Sequence, residues 1–183
     1  MLRWCIYNKG NGWIKYIDLK CPALINFYCN RENGNLITVN DTVDLCDEVE
    51  VSVDNRYDIS RIYLNNKLLL GDNLIKKAIN AFFEYTNISR DSIVVRVNKQ
   101  IQEQVYMEEF DNIASGVILA LNTYYQLELS KEELIQIASM VSKGLTLFIY
   151  GGYHQVYNYG ERAIELKENR CDNYLIALSD LKE

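Results

Sequence analysis

Residues 99–122 read KQIQEQVYMEEFDNIASGVILALN, and this stretch sets the interpretation of everything around it. Phe110, Ile113, Ala114, Val117, Leu121 and Tyr124 recur at intervals of three and four, so the spacing predicts a helix from about Phe110 to Tyr125 with one apolar face. Glu108, Glu109 and Asp111 crowd its start, where carboxylates complement the positive end of a helix dipole. Just upstream, Ser92 to Asn98 (SIVVRVN) is β-branched and reads as a strand.

Upstream of this centre the chain is strand-rich. Residues 2–7 and 13–19 flank the turn Asn8-Lys9-Gly10-Asn11-Gly12, which predicts an N-terminal hairpin. Residues 23–29 (ALINFYC) run to the turn Arg31-Glu32-Asn33-Gly34, and residues 36–43 pair back across it. From Glu48 to Val53 the pattern alternates strictly. Val49, Val51 and Val53 face one way, and Glu48, Glu50 and Ser52 the other, as in a half-buried strand. The acids Asp44, Asp47, Glu48 and Glu50 are expected to face solvent. Arg61 to Leu70 is a further strand closed by Gly71. Asp72 is the expected N-cap of a helix over residues 73–86, with Leu74, Ala78, Ile79 and Phe82 on its buried face.

Downstream, Ser130-Lys131-Glu132-Glu133 is a capping box that opens a helix through Leu134 to Val141. Gly144 is expected to break the chain, Leu145 to Tyr150 to form a buried strand, Gly151-Gly152 to turn it, and residues 153–159 to return. Residues 173–178 (NYLIAL) form an expected last strand, one that could pair with another chain at a sheet edge. Strands first, then helices interleaved with strands, predict an α+β fold. It is a mostly antiparallel sheet with helices on one face, in a single domain over residues 1–183.

Composition narrows the function classes. Net charge is −6, and no Lys/Arg cluster exceeds Lys76-Lys77, which argues against nucleic acid. No apolar run has the roughly 18 residues a spanning helix needs, and the N-terminus has too short an apolar stretch for a signal peptide, so a cytoplasmic protein is expected. The five cysteines, Cys5, Cys21, Cys29, Cys46 and Cys171, contain no C-x-x-C pair and read as reduced packing residues. His154 is the only histidine and is expected at the surface or on a pocket wall; no metal site is expected.

Several phrases in order form a pattern: ALIN at 23–26, VDLCDEVEV at 43–51, GDNLIKKAI at 71–79, SGVILALNTYYQLELSKEELIQIA at 115–138, and LFIYGGYHQVYNYGERAIEL at 147–166. Together they resemble the N-terminal domain of the GHMP kinases over roughly residues 20 to 178. The resemblance implies a ribosomal protein S5 domain 2-like fold, with residues 1–19 an extra hairpin and the family's C-terminal domain absent from this sequence. It also implies ATP-dependent transfer of a phosphoryl group to an alcohol.

The same resemblance shows departures. The family strand A-K-I-N, with its lysine near the transferring phosphate, falls on Ala23-Leu24-Ile25-Asn26; the lysine is Leu24 and the asparagine is retained. The family's Tyr-His pair is missing by deletion, and Gly34 is followed by Asn35-Leu36. The family's glycine-rich phosphate loop, G-L-G-G-G-S-S, falls on Tyr106 to Asn112, YMEEFDN. Bare main chain lets N–H groups approach phosphate oxygens, and side chains now occupy that place. At about 6 Å and an effective dielectric near 20, each carboxylate–phosphate pair costs roughly 2–3 kcal/mol before screening. The family's catalytic aspartate falls on Gly144. Catalytic residues are therefore expected at neither Leu24 nor Gly144. Asn73 and Lys99 match positions near the adenine, so an adenine slot is the one candidate cofactor site.

The expectation is a degenerate kinase-like binding or interaction protein, without cofactor, that self-associates or meets a protein partner. The family buries one side of this domain, which must otherwise be covered. The alternative is an active ATP-dependent small-molecule kinase in which Glu108, Glu109 or Asp111 holds Mg²⁺ through oxygen. A third reading is a nucleotide sensor that binds through Asn73 and Lys99 without turnover.

Overall fold

The computed structural model describes residues 5–10, 15–101, 110–158 and 162–166. Their order is β1 (Cys5–Gly10), β2 (Lys15–Glu32), β3 (Asn35–Val53), β4 (Arg61–Leu64), β5 (Lys67–Leu68), α1 (Leu74–Thr86), β6 (Ile93–Asn98), α2 (Asp111–Tyr125), α3 (Lys131–Val141), α4 (Lys143–Tyr150), β7 (His154–Tyr157) and β8 (Arg162–Glu165). Five strands run β1-β2-β3-β6-β4, with β5 outside β4. Among the described strands, only β4 and β6 pair in parallel. The far end of β3 also pairs with β7, which carries β8. The fold is α+β, as read from the sequence.

Alternation places the core. Ile17, Leu19 and Cys21 on β2, Val49 and Val51 on β3, and Ile93, Val95 and Val97 on β6 are buried together with Ile75, Ile79 and Phe82 of α1. Ile113, Val117 and Leu121 of α2, Ile137 of α3 and Leu145 of α4 complete the layer. Glu48 and Glu50 point to the opposite face, where Glu50 pairs with Arg96. Burial of some thirty apolar side chains, each contributing about 1.5–3 kcal/mol, is the main force holding the helices to one side.

Several expectations are corrected. The run Leu145 to Tyr150 is helix α4, not a strand. Ser142 Oγ accepts the Gly144 N–H at 3.0 Å and starts the helix; Leu145, Phe148 and Ile149 then fall on one buried side. Gly144 lies inside α4 and does not break the chain. The cap of α1 is Asn73, not Asp72, its Oδ1 accepting the Lys76 N–H at 3.0 Å. The stretch 61–70 is two short strands around a turn at Asn65-Asn66, both in the left-handed region that asparagine tolerates. β1 runs to Gly10, past the expected start of the turn, and β8 was not foreseen. The capping box of α3 is present with both bonds. Residues 173–178 and 102–109 lie outside the described residues, and with them Glu108 and Glu109.

Candidate functional site

Helices α2 and α4 bring their N-terminal turns together. Ser115 Oγ donates within α2 to the Asp111 carbonyl at 2.7 Å and lies 3.0 Å from the Leu145 carbonyl of α4. The fully buried Ser115 therefore pins one helix start to the other. Asp111, the first residue of α2, is 3% exposed and turns its carboxylate toward Gly144, the second residue of α4. A Cβ on Gly144 would lie 2.5 Å from Asp111 Oδ2 and 3.1 Å from its Cγ. The acid thus occupies the space a side chain at 144 would use. Both helix starts present positive dipole ends, which favours a carboxylate in this position.

Position 110 shows the same replacement. Phe110 precedes α2 with φ 78°, a left-handed conformation that glycine adopts without strain and that costs a bulky residue of the order of 1–2 kcal/mol. The backbone retains a glycine-like path while the ring is buried. Lys99 carries its ammonium over that ring, 5.5 Å from the centroid, so the two ends of the 99–110 segment meet.

Asp47 anchors this corner. It is fully buried, correcting the expectation that it faces solvent; Asp44 and Glu48 are exposed as expected. Asp47 Oδ1 accepts the N–H groups of Gln100 and Ile101 at 2.7 and 2.9 Å, and Oδ2 accepts from Asn112 Nδ2 at 3.1 Å. The carboxylate satisfies three donors and holds the 99–101 segment beside α2. Sequence parity contained the signal: Asp47 is in step with Val49 and Val51, on the inward side. Burial, and then the neighbouring Asp47 and Cys46, push the Cys21 thiol well up, so it stays protonated and packs.

Leu24 is 5% exposed and belongs to the apolar interior. Asn73 and Lys99, the two residues read as a candidate adenine slot, are joined by no described hydrogen bond or ring contact. Asn73 spends its oxygen on the α1 cap, and its Nδ2 is buried without an acceptor. The Lys99 N–H goes to Asn65 Oδ1 at 2.9 Å. His154 is 6% exposed, not at the surface, and lies against Tyr150 with ring centroids 5.8 Å apart. Burial is the leading cause that lowers its pKa, assisted by Lys131 and opposed by the Gly152 backbone, Glu165 and Asp41. Among the described residues no group of three or more His, Cys, Asp or Glu is placed to hold a metal ion, and no helix is long and apolar enough to cross a membrane.

The one-sided helix layer and the meeting of α2 with α4 define the class: the fold is that of GHMP kinase domains. A crystal structure of mevalonate kinase superposes with a TM-score of 0.66 at 19% identity, covering 82% of this chain and 56% of that one. A crystal structure of 4-(cytidine 5'-diphospho)-2C-methyl-D-erythritol kinase gives 0.63 at 22% identity, covering 81% and 55%.

In sequence the chain is similar, more particularly, to 4-diphosphocytidyl-2-C-methyl-D-erythritol kinases. That of Prochlorococcus marinus (strain AS9601) is 29% identical over 154 residues, 80% of this chain and 49% of the relative. That of Chlamydia muridarum is 29% identical over 165 residues, 87% and 58%. That of Francisella philomiragia is 30% identical over 147 residues, 75% and 52%. The chain spans about half the length of the curated relatives it matches. No protein-family model matches the chain.

Proposed function

We propose that this chain is a GHMP-kinase-like binding module that does not transfer phosphoryl groups at the α2–α4 corner. The observation that carries this reading is the Asp111 carboxylate, buried against Gly144 between two helix starts. An anion of the protein already answers the positive dipole ends, and a phosphate brought there would meet it at close range. Leu24, in the apolar interior, offers no cation. Among the described residues, Asp111 by its charge and Leu24 by offering no counter-charge argue against a nucleotide triphosphate at this corner. Self-association, or capture of a protein partner, accompanies this reading. Ile59, Leu68 and Leu70, in and beside β4 and β5, are 70%, 45% and 79% exposed, apolar side chains that a partner would cover.

A second reading is favoured by the names of the relatives: an ATP-dependent kinase acting on diphosphocytidyl methylerythritol, in the pathway to isoprenoids. Incubation with ATP, Mg²⁺ and that alcohol, followed by phosphorus NMR, separates the two. The first reading expects no product above an enzyme-free control. Product that disappears in Asp111→Asn would establish the second.

A further inference from the structure

The sheet face opposite the helices carries a cleft of about 580 Å³, and strand register builds its floor. Asp18, Glu50, Arg96 and Tyr63 stand in line across β2, β3, β6 and β4. Lys20, Glu48 and Asn98 form the adjoining row. Side chains two apart on a strand face the same way, so both rows point outward while Leu19, Val49 and Val97 point into the core. The turn at Asn65 and Asn66 closes one end.

The walls are held from within. Arg96 Nη1 donates to Glu50 Oε1 at 2.6 Å, and its guanidinium lies 5.8 Å from the Tyr63 ring centroid. Asn98 Nδ2 donates to Glu48 Oε2 at 3.0 Å, and Asn65 Oδ1 is fixed by the Lys99 N–H. Such cross-bracing on regular strands sets donors and acceptors in place before any ligand arrives.

Charge selects the ligand. Asp18, Glu48 and Glu50 face Lys20 and Arg96, which leaves the cleft one net negative charge. A phosphate or carboxylate ligand is disfavoured there. Alternating carboxylate acceptors and amide or ammonium donors, beside an aromatic ring, suit a molecule whose every polar group both donates and accepts. The volume lies within the roughly 300–1,000 Å³ of small-molecule sites. We propose that this cleft binds a neutral saccharide of one or two rings. It shares no residue with the α2–α4 corner, so it stands or falls independently of the reading above.

The full chain is tested on a glycan array, and the best neutral hit is titrated by calorimetry. Tyr63→Ala and Glu48→Gln each weaken binding at least about tenfold, as expected for losing a ring contact or a charged acceptor. Lys77→Ala, outside the cleft, leaves it unchanged. Asn66→Gly removes one amide while keeping a turn residue suited to φ 66°, so a loss of affinity there does not come from misfolding. No neutral glycan bound, hits confined to anionic glycans, or affinity that survives Tyr63→Ala and Asn66→Gly would each overturn the proposal.

Discussion

At the scale of single residues the account turns on Asp111 and Gly144. Alanine at 144 gains up to about 1 kcal/mol of helix propensity but must displace a carboxylate oxygen 2.5 Å away, an overpacking that costs about 1–3 kcal/mol. Gly144→Ala is therefore expected to destabilise the chain. With Asp111→Ala already present the clash is gone, and the same change should stabilise by about 0.5–1 kcal/mol. Urea unfolding of the four variants reads this reversal of sign; additive effects would contradict it. His154 supplies a second residue-level prediction. Its folded pKa is depressed, so the folded state favours the neutral ring. Above the ordinary value near 6.5 neither state holds the proton, and stability is complete. As the pH falls through that value the unfolded chain takes up a proton that the folded chain resists, and stability drops by at most about 1.4 kcal/mol per pH unit. Melting curves between pH 7.5 and 5.5 should lose that share of their slope in His154→Gln; an unchanged slope would show that His154 contributes nothing. Asp111 was legible as an acid at a helix start, but its meeting with Gly144 was not, because only the packing of two helices brings them together; the burial of His154 was not legible either, because a lone histidine carries no periodic signal.

At the scale of elements the sequence was most readable where periodicity and caps agree. α1 and α2 show long apolar faces, and the Ser130–Glu133 box announced α3 correctly. Reading failed at α4, where LFIY offers an apolar run too short to distinguish period 2 from 3.6, and where the deciding signal is Ser142 as a cap. Ser142 Oγ accepts the Gly144 N–H, so Ser142→Ala should cost about 1 kcal/mol and loosen the contact between α2 and α4. Faster amide exchange in residues 143–150 would register it; exchange like wild type would mean that packing alone holds the helix. Asp47 illustrates an intermediate case. Its inward parity was visible, yet an acid there is expected to avoid the core unless its donors, here Gln100, Ile101 and Asn112, are known.

For the molecule as a whole, the order of strands and helices was enough to give the class of fold, and the spaced phrases from Ala23 to Leu166 were enough to give the resemblance. What the α2–α4 corner does depends on which charge sits between two helices, a three-dimensional fact. The exposed Ile59, Leu68 and Leu70 lead to the expectation of a dimer or larger assembly at micromolar concentration by light scattering, shifted toward monomer by Leu70→Lys. A monomer throughout would remove self-association. The most direct test of the central claim is calorimetric titration of the full chain with Mg-ATP at millimolar nucleotide. With the chain's own carboxylate in place, no saturable heat is expected. Saturable binding that requires the phosphate tail, being present with ATP and missing with adenosine, would contradict it.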